Sequence, residues 1–292
     1  MKHNKTIILT MTLLLSVLSA NISHAVNMEL NYDFRNIYNL QDKKKEAIKI
    51  IENHLSKSYE KYYVLGVLYL PEDPIRAKEE FQKVIKAKPD HVMSYLNLGY
   101  LSLSSNTEES IDYFNKALKY DQAMAETYNA LAIAYMSQNN LPEAVRILEK
   151  GLQLAGKEES LYFNQSLILS KYFIDTKEDE KIIRNMTEAI GIKPREEYFM
   201  ILGNYYLRKK QNAAAQNVFS KAVENYPKSI YCILGLATTY KNANEYDRAI
   251  SIARKALEIS PDNKLVLDEI KEYEEAYKAY TDKALKEKPK GN

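Results

Sequence analysis

The sequence predicts an all-α solenoid of about six helix pairs. Three observations carry this. A helix-sized block recurs in which an aromatic is followed by Leu and a tiny residue, then often Tyr. Copies are Tyr62-Leu65-Gly66-Tyr69, Tyr95-Leu98-Gly99, Tyr128-Leu131-Ala132-Tyr135, Phe199-Leu202-Gly203-Tyr206 and Ile233-Leu236-Ala237-Tyr240, with Tyr162-Gln165-Ser166-Leu169 as a weaker one. The tiny residues are spaced 33, 33, 34, 37 and 34 apart. A second block follows each first one, setting small, bulky and small residues four and then three apart. It reads Ala77-Phe81-Val84, Ser110-Phe114-Ala117, Ala144-Leu148-Gly151, Ala215-Phe219-Ala222 and Ala249-Ala253-Ala256, with Ile182-Met186-Ala189 degenerate. Finally, Gly and Pro number only 8 each in 292 residues, too little turn chemistry for a many-stranded sheet.

Helix geometry explains the blocks. Positions 0, 3, 4 and 7 of a helix share one stripe. A tiny residue in that stripe lets two axes approach, and the bulky residue of the neighbour fits over it. Pro89, Pro194, Pro227 and Pro261 fall five residues after four of the six second blocks. Proline cannot continue a helix but suits a first turn, so it punctuates the array. Asp90, Asp121 and Ser260 stand near these junctions as expected N-caps. A lone helix pair cannot bury both faces, whereas stacked pairs can.

The first residues differ from the rest. Lys2, His3 and Lys5 precede an apolar run from Ile7 to Leu18, and Ser23-His24-Ala25 places small residues where a signal peptidase reads them. This order predicts a cleaved secretory signal over residues 1–25, with cleavage after Ala20 and an uncleaved anchor extending through Val26 as the alternatives. The run is shorter than the ~20 residues of a membrane-spanning helix, so no integral span is expected after cleavage. The single cysteine, Cys232, offers no lipidation site behind it. Residues 26–58 are expected to be a loose lead-in and a half repeat, in which Ala47, Ile51 and His54 echo the second block. Repeats are expected at about 59–91, 92–124, 125–158, 159–195, 196–229 and 230–261. A capping helix over 262–285 follows, with Leu267, Ile270, Tyr273, Tyr277, Tyr280 and Ala284 as its apolar stripe, and a tail over 286–292. The fourth repeat breaks the rule, with Gln165 and Ser166 in place of Leu and a tiny residue. Its inner connection, near Asp175 to Glu180, is about four residues longer than the others. Drift in one repeat and a hinge or contact loop are both consistent with this.

The pattern from Tyr59 to Pro261 resembles the tetratricopeptide repeat family, with Tyr, Phe or Ile standing where that family usually has Trp. The resemblance implies a right-handed superhelix whose first helices line a concave groove that binds peptides or protein surfaces. The groove positions lie 1, 5 and 8 residues after each leading aromatic. They are Tyr63, Val67 and Leu70; Leu96, Tyr100 and Leu103; Asn129, Ile133 and Met136; Phe163, Leu167 and Ser170; Met200, Asn204 and Leu207; and Leu234, Thr238 and Lys241. Thirteen of these eighteen are apolar, whereas a face turned wholly to water is mostly polar. A peptide groove and ordinary helix stacking both account for that. Asn97, Asn129, Asn164 and Asn204 could bond a ligand backbone. Lys241 is the one cation of the set, so a basic clamp for a terminal carboxylate is not expected. Acidic substitution of Tyr100 and Leu103 together is expected to abolish capture while leaving helicity intact.

Other chemistries lack their signatures. With residues 1–25 removed, 41 basic residues become 39 against 39 acidic ones, so the basic footprint of a nucleic-acid binder is missing. His54 and His91 belong to different repeats without ligand spacing, and Cys232 has no partner for an internal disulfide. No phosphate loop, nucleophile elbow or His-Glu-x-x-His motif occurs. No enzyme, metal or cofactor is expected. The expected role is a scaffold or adaptor of the bacterial cell envelope, periplasmic or else extracellular, that holds a protein or peptide ligand. The alternatives are a homo-oligomeric structural scaffold using the C-terminal stripe, or an assembly factor. Repeats behind a signal are similar to the pilotin proteins of type IV pilus assembly, which carry a lipidated Cys absent here.

Overall fold

The computed structural model describes Ile48, Ile51, Glu52, residues 58–172 and residues 178–287. The expected signal segment, most of the half repeat, including Ala47 and His54, and residues 173–177 lie outside the described residues, as does residue 288 onward. The described chain forms thirteen helices. They fall into two compact units, dividing between Gly156 and Lys157. Gly156 has φ of +88°, a backbone that glycine adopts without strain.

The first unit holds α1 (Tyr59–Tyr69), α2 (Pro74–Ala87), α3 (Val92–Ser102), α4 (Thr107–Tyr120), α5 (Ala125–Ser137) and α6 (Leu141–Leu154). Each odd helix pairs with the even helix after it, and α2 and α4 also pack on the next odd helix. The two helix types differ as their positions require. α3 buries eight of its eleven residues because neighbours cover it on several sides. α2 buries only Ala77, Phe81 and Val84 and leaves Arg76, Glu79, Lys83 and Lys86 in water.

The glycines mark the closest approaches. A Cβ placed on Gly66 would lie 2.7 Å from the Phe81 ring, and one on Gly99 would overlap the Phe114 ring. Both rings are fully buried, each worth roughly 1.5–3 kcal/mol of transfer free energy. In the third pair the arrangement is inverted: Gly151 is on the second helix and accepts the Tyr128 ring of the first. At the free end, Ile51 is fully buried, and the Tyr69 hydroxyl donates to Glu52 Oε1 at 2.8 Å. This part of the expected half repeat therefore packs on α1.

The second unit holds α7 (Glu159–Tyr172), α8 (Asp179–Ile192), α9 (Glu196–Arg208), α10 (Asn212–Asn225), α11 (Ile230–Asn242), α12 (Tyr246–Ile259) and α13 (Lys264–Glu287). Phe219 on α10 lies in the notches of two first helices, Gly203 on α9 and Gly235 on α11. The fourth repeat, α7 with α8, replaces apolar packing by paired polar groups. Asn185 Nδ2 donates to Gln165 Oε1 at 2.6 Å, and Ser166 Oγ donates to the Ile182 carbonyl at 3.3 Å. Gln165 and Asn185 are both buried, so each departure from the repeat rule, Gln165 and Ser166, finds its partner on α8. The division between units falls before this repeat rather than inside it.

α13 covers the last pair, as expected, with Ile270 and Tyr273 of the expected stripe buried and its first member changed. Val266, Ile270 and Tyr273 enter a core with Ile233, Leu234, Ala237, Ala253 and Ala256. Leu267, placed in the stripe from sequence, is 46% exposed and Val266 takes its role. Tyr277 and Tyr280 instead lean on the Tyr246 ring, at 5.6 and 5.5 Å. The Ala284 side chain lies outside the described part.

The three expected N-caps are displaced. Asp121 and Ser260 end α4 and α12, their backbone N–H groups donating to the carbonyls of Ala117 and Ala256. Asp121 Oδ1 then accepts from Ala123 in the turn. Asn263 caps α13, accepting from the Val266 N–H. His91, not Asp90, caps α3, its Nδ1 accepting from the Ser94 N–H at 3.3 Å. The two-residue turn after α2, α4 and α12 places the cap later than a proline-based reading allows.

Burial, reinforced by the Lys88 charge, lowers the His91 pKa from 6.5 to about 4 despite opposing Asp90 and Glu60 charges. The folded protein therefore binds fewer protons here than the unfolded chain between those values. The contribution is present above about pH 6.5 and is lost as pH falls through about pH 4. His91→Asn keeps a capping side chain without a titrating ring. Urea midpoints at pH 7 and pH 5 should differ less for that variant than for the parent.

A second expectation follows from the notches. Alanine ordinarily favours a helix by about 1 kcal/mol over glycine, yet Gly99→Ala should lose about 1–3 kcal/mol because it overpacks the Phe114 ring. Adding Phe114→Leu should recover part of that loss in urea unfolding. An additive double variant would refute the notch account.

Candidate interaction face

In the first unit, α1, α3 and α5, with the C-cap residues Leu70 and Leu103, carry nine of the sequence-predicted groove positions and Asn97. Their burial separates structural from accessible residues. Leu96 is fully buried, and Tyr63, Val67 and Leu103 are nearly so. These are core, because consecutive first helices touch along this side. Leu70, Tyr100, Asn129, Ile133 and Met136 are half-buried and form the accessible part. Asn97 is also committed to the fold: it is 2% exposed and its Nδ2 donates to the Met93 carbonyl at 2.9 Å. It is a core residue rather than an open donor. The paired acidic substitution of Tyr100 and Leu103 would put charge at one buried position and one whose hydroxyl is buried. It would disturb the fold, contrary to the expectation of intact helicity.

Aromatic packing holds this face. The Tyr63 ring lies 5.8 Å from Phe81 and 4.8 Å from His91, and the Tyr100 ring meets Phe114 edge-on at 5.4 Å. The rings that fill the glycine notches therefore also support the two tyrosines from behind. The Tyr63 and Tyr100 hydroxyl oxygens are buried and make no hydrogen bond of ordinary length, the Asn97 amide standing near the first. Burial raises both phenols' pKa values, and the Glu126 charge adds to this. For Tyr63 the neighbouring Asn97 amide works in the opposite direction. Glu126 is in the first turn of α5.

Sequence reasoning missed Glu126 because it precedes the leading aromatic of its repeat, Tyr128. At about 100° per residue, a position two before the aromatic lies within roughly 20° of the position five after it. That angular match was the available signal.

In the second unit the predicted positions diverge. Phe163 stacks on Tyr198 of the next first helix, with centroids 4.4 Å apart. Leu167, Met200 and Leu207 are half-buried and Asn204 is exposed. Ser170 and Leu234 are buried. Lys241 Nζ donates to Glu272 Oε1 at 2.7 Å and lies 5.5 Å from the Tyr273 ring centroid. Thr238 shares a hydrogen bond with the Tyr273 hydroxyl at 3.0 Å. The last repeat's share of the face is thus occupied by α13.

Among the described residues, no group of three or more His, Cys, Asp and Glu side chains could hold a metal ion. None of the described helices is long and apolar enough to cross a membrane. Cys232 is fully buried, as the sequence reading expects of a small packed residue. Burial raises its thiol pKa, which disfavours the reactive thiolate.

Comparison with known proteins supplies the family. The tetratricopeptide repeat model matches residues 101–164 and 206–268. Human tetratricopeptide repeat protein 6 is 22% identical over 166 residues, covering 56% of this chain and 31% of its own. The peroxisomal targeting signal receptor of Saccharomyces cerevisiae is 24% identical over 189 residues, covering 62% of this chain and 31% of its own. The chain thus spans 31% of the length of each of these curated relatives. Among solved structures, the C-terminal part of a TPR repeat-containing protein from Cytophaga hutchinsonii aligns with a TM-score of 0.63 at 16% identity, over 81% of this chain and 98% of that one. The type IV pilus biogenesis factor PilW aligns with a TM-score of 0.55 at 14% identity, over 73% of this chain and 99% of that one. The recurring helix pairs, the ring-filled notches and these matches agree: over residues 101–164 and 206–268 the chain is built of tetratricopeptide repeats.

Proposed function

We propose that this protein is a non-catalytic scaffold that holds an extended peptide or protein segment on the α1, α3 and α5 face of its first unit. The observation that carries the reading is the half-buried apolar row of Leu70, Tyr100, Ile133 and Met136 on an otherwise well-packed framework. Water-facing helix positions are normally polar, and a contiguous apolar face marks an interaction site. Proteins of this repeat family bind protein or peptide partners. One solved relative, YrrB, is described as having an unusual peptide-binding site; it aligns with a TM-score of 0.51 at 22% identity, over 65% of this chain and 97% of its own.

The same proposal places the protein in the bacterial cell envelope, exported by residues 1–25 and acting in the periplasm or outside the cell. Its support is the basic start, the apolar run and the small residues at Ser23 and Ala25. Within that setting, a role as an assembly factor for a pilus or secretion system is one form of the scaffold reading. Self-association is a second reading, favoured by Leu265, Leu267 and Tyr280, which stand exposed on α13.

Ile133→Asn with Met136→Asn changes the accessible row while sparing its buried members. Crosslinked capture from native envelopes should lose the partner with this variant, and circular dichroism should remain that of the parent. Undiminished capture by the well-folded variant would refute the face. Light scattering of residues 26–292 at several concentrations tests the second reading; a monomer throughout would contradict it.

A further inference from the structure

One sequence feature is not absorbed by the repeat. Val26, Met28, Leu30, Tyr32 and Phe34 alternate with Asn27, Glu29, Asn31, Asp33 and Arg35. Strict alternation puts all five apolar side chains on one edge of an extended chain. At 100° per residue the same five would fall on opposite sides of a helix. Such an edge needs an apolar surface to lie on, and among the described residues there are helices but no strand for it to join. Residues 26–35 lie outside the described part, but the chain that follows them enters it at α1. There Ile51 is fully buried, and Lys61 Nζ of α1 donates to the Glu52 carbonyl at 2.7 Å. The segment therefore leads into the first unit at the end where the half-buried row of Leu70, Tyr100, Ile133 and Met136 begins. That face is nearly without charge: α3 has no charged residue, and α5 has only Glu126.

The dimensions agree. Tyr63 of α1 lies 4.8 Å from the ring of His91, the N-cap of α3, and α3 packs on α5. With packed axes ~8–10 Å apart, the row crosses roughly 20 Å. At ~3.3 Å per residue, an extended segment over residues 26–34 spans about 26 Å. Residues 35–47 join it to Ile48, and a chain of that length reaches up to about 45 Å.

We propose that residues 26–34 of the same chain lie extended along this row, Phe34 toward Leu70 and Met28 toward Met136, and cover the face until a partner displaces them. The inference rests on the face of the function proposed above and adds its resting occupant. The apolar edge of the segment meets the apolar row, and Glu29, Asp33 and Arg35 all belong to the other edge, toward water. A tether this short gives the segment an effective concentration in the millimolar range, so it excludes dilute free peptides of its own sequence.

The test places a photocrosslinking side chain at position 28 of the purified chain of residues 26–292 and maps the products by mass spectrometry. Product should join position 28 to α5 within a single chain, and should vanish when Leu30→Asp and Tyr32→Asp are added. Product joining two chains would assign the face to a second copy and overturn the inference, as would the absence of any α5 product. A fluorescent peptide of residues 26–35 supplies a second reading by anisotropy. It should bind the Leu30→Asp, Tyr32→Asp chain at least about tenfold tighter than the parent, because the tethered segment no longer competes. That binding should be lost when Ile133→Asn and Met136→Asn are added. Equal affinity for parent and variant, or no binding to either, would count against the inference. The outcome separates from that of the proposed function. Envelope capture that depends on Ile133 and Met136, without the α5 crosslink, overturns the inference alone. The α5 crosslink, with capture indifferent to those two residues, overturns the proposed function alone.

Discussion

An aromatic ring seated on a glycine of a neighbouring helix is the contact on which the rest of this fold depends. Phe81 on Gly66, Phe114 on Gly99 and Phe219 on both Gly203 and Gly235 bring helix axes closer than any side chain at the small position would permit. That approach fixes which residues of the first helix face its partner. It therefore also fixes which residues are left over for the opposite face. The face made by α1, α3 and α5 is a consequence of the notches: Tyr63 and Tyr100 rest on the same phenylalanines that fill them.

The notches also explain where substitution of the pattern is tolerated. In the third pair, ring and glycine exchange helices, with Tyr128 seated on Gly151. In the fourth, the ring-on-glycine contact is absent, and a buried amide pair between Gln165 and Asn185 stands near a serine that bonds the facing backbone. Hydrogen bonding is directional and apolar packing is not, so this repeat reaches a similar helix pairing by a more exacting route. The irregularity that stands out in the sequence is thus compensated inside its own repeat.

Much of the architecture was legible because it rests on a periodic cause. The spacing of Gly66, Gly99 and Gly203 and of their ring partners identifies each helix and its mate. The capping helix was legible too, with Ile270 and Tyr273 in its stripe, but the first member falls one residue earlier than expected, because Val266 and Leu267 are equally apolar and only packing on Ala253 and Ala256 chooses between them. Helix caps were misplaced for a similar reason: Asp121 can serve the end of one helix as well as the start of the next. The candidate face was legible in outline and not in depth. Periodicity puts Leu96 and Ile133 on the same helix face, but it cannot say that Leu96 is sealed by its neighbours while Ile133 is not. Glu126 was invisible to a search that began at each aromatic and read only forward.

The central assertion is that partner contact runs along the first helices and not along the solvent-facing second helices. A photocrosslinking side chain at Met136, compared with one at Ile75, tests this directly. Ile75 is on α2 and 74% exposed, so greater exposure alone would favour it. Crosslinking in native envelopes should join the partner through position 136 and not through position 75. Equal products from both positions, or product from position 75 alone, would contradict the account.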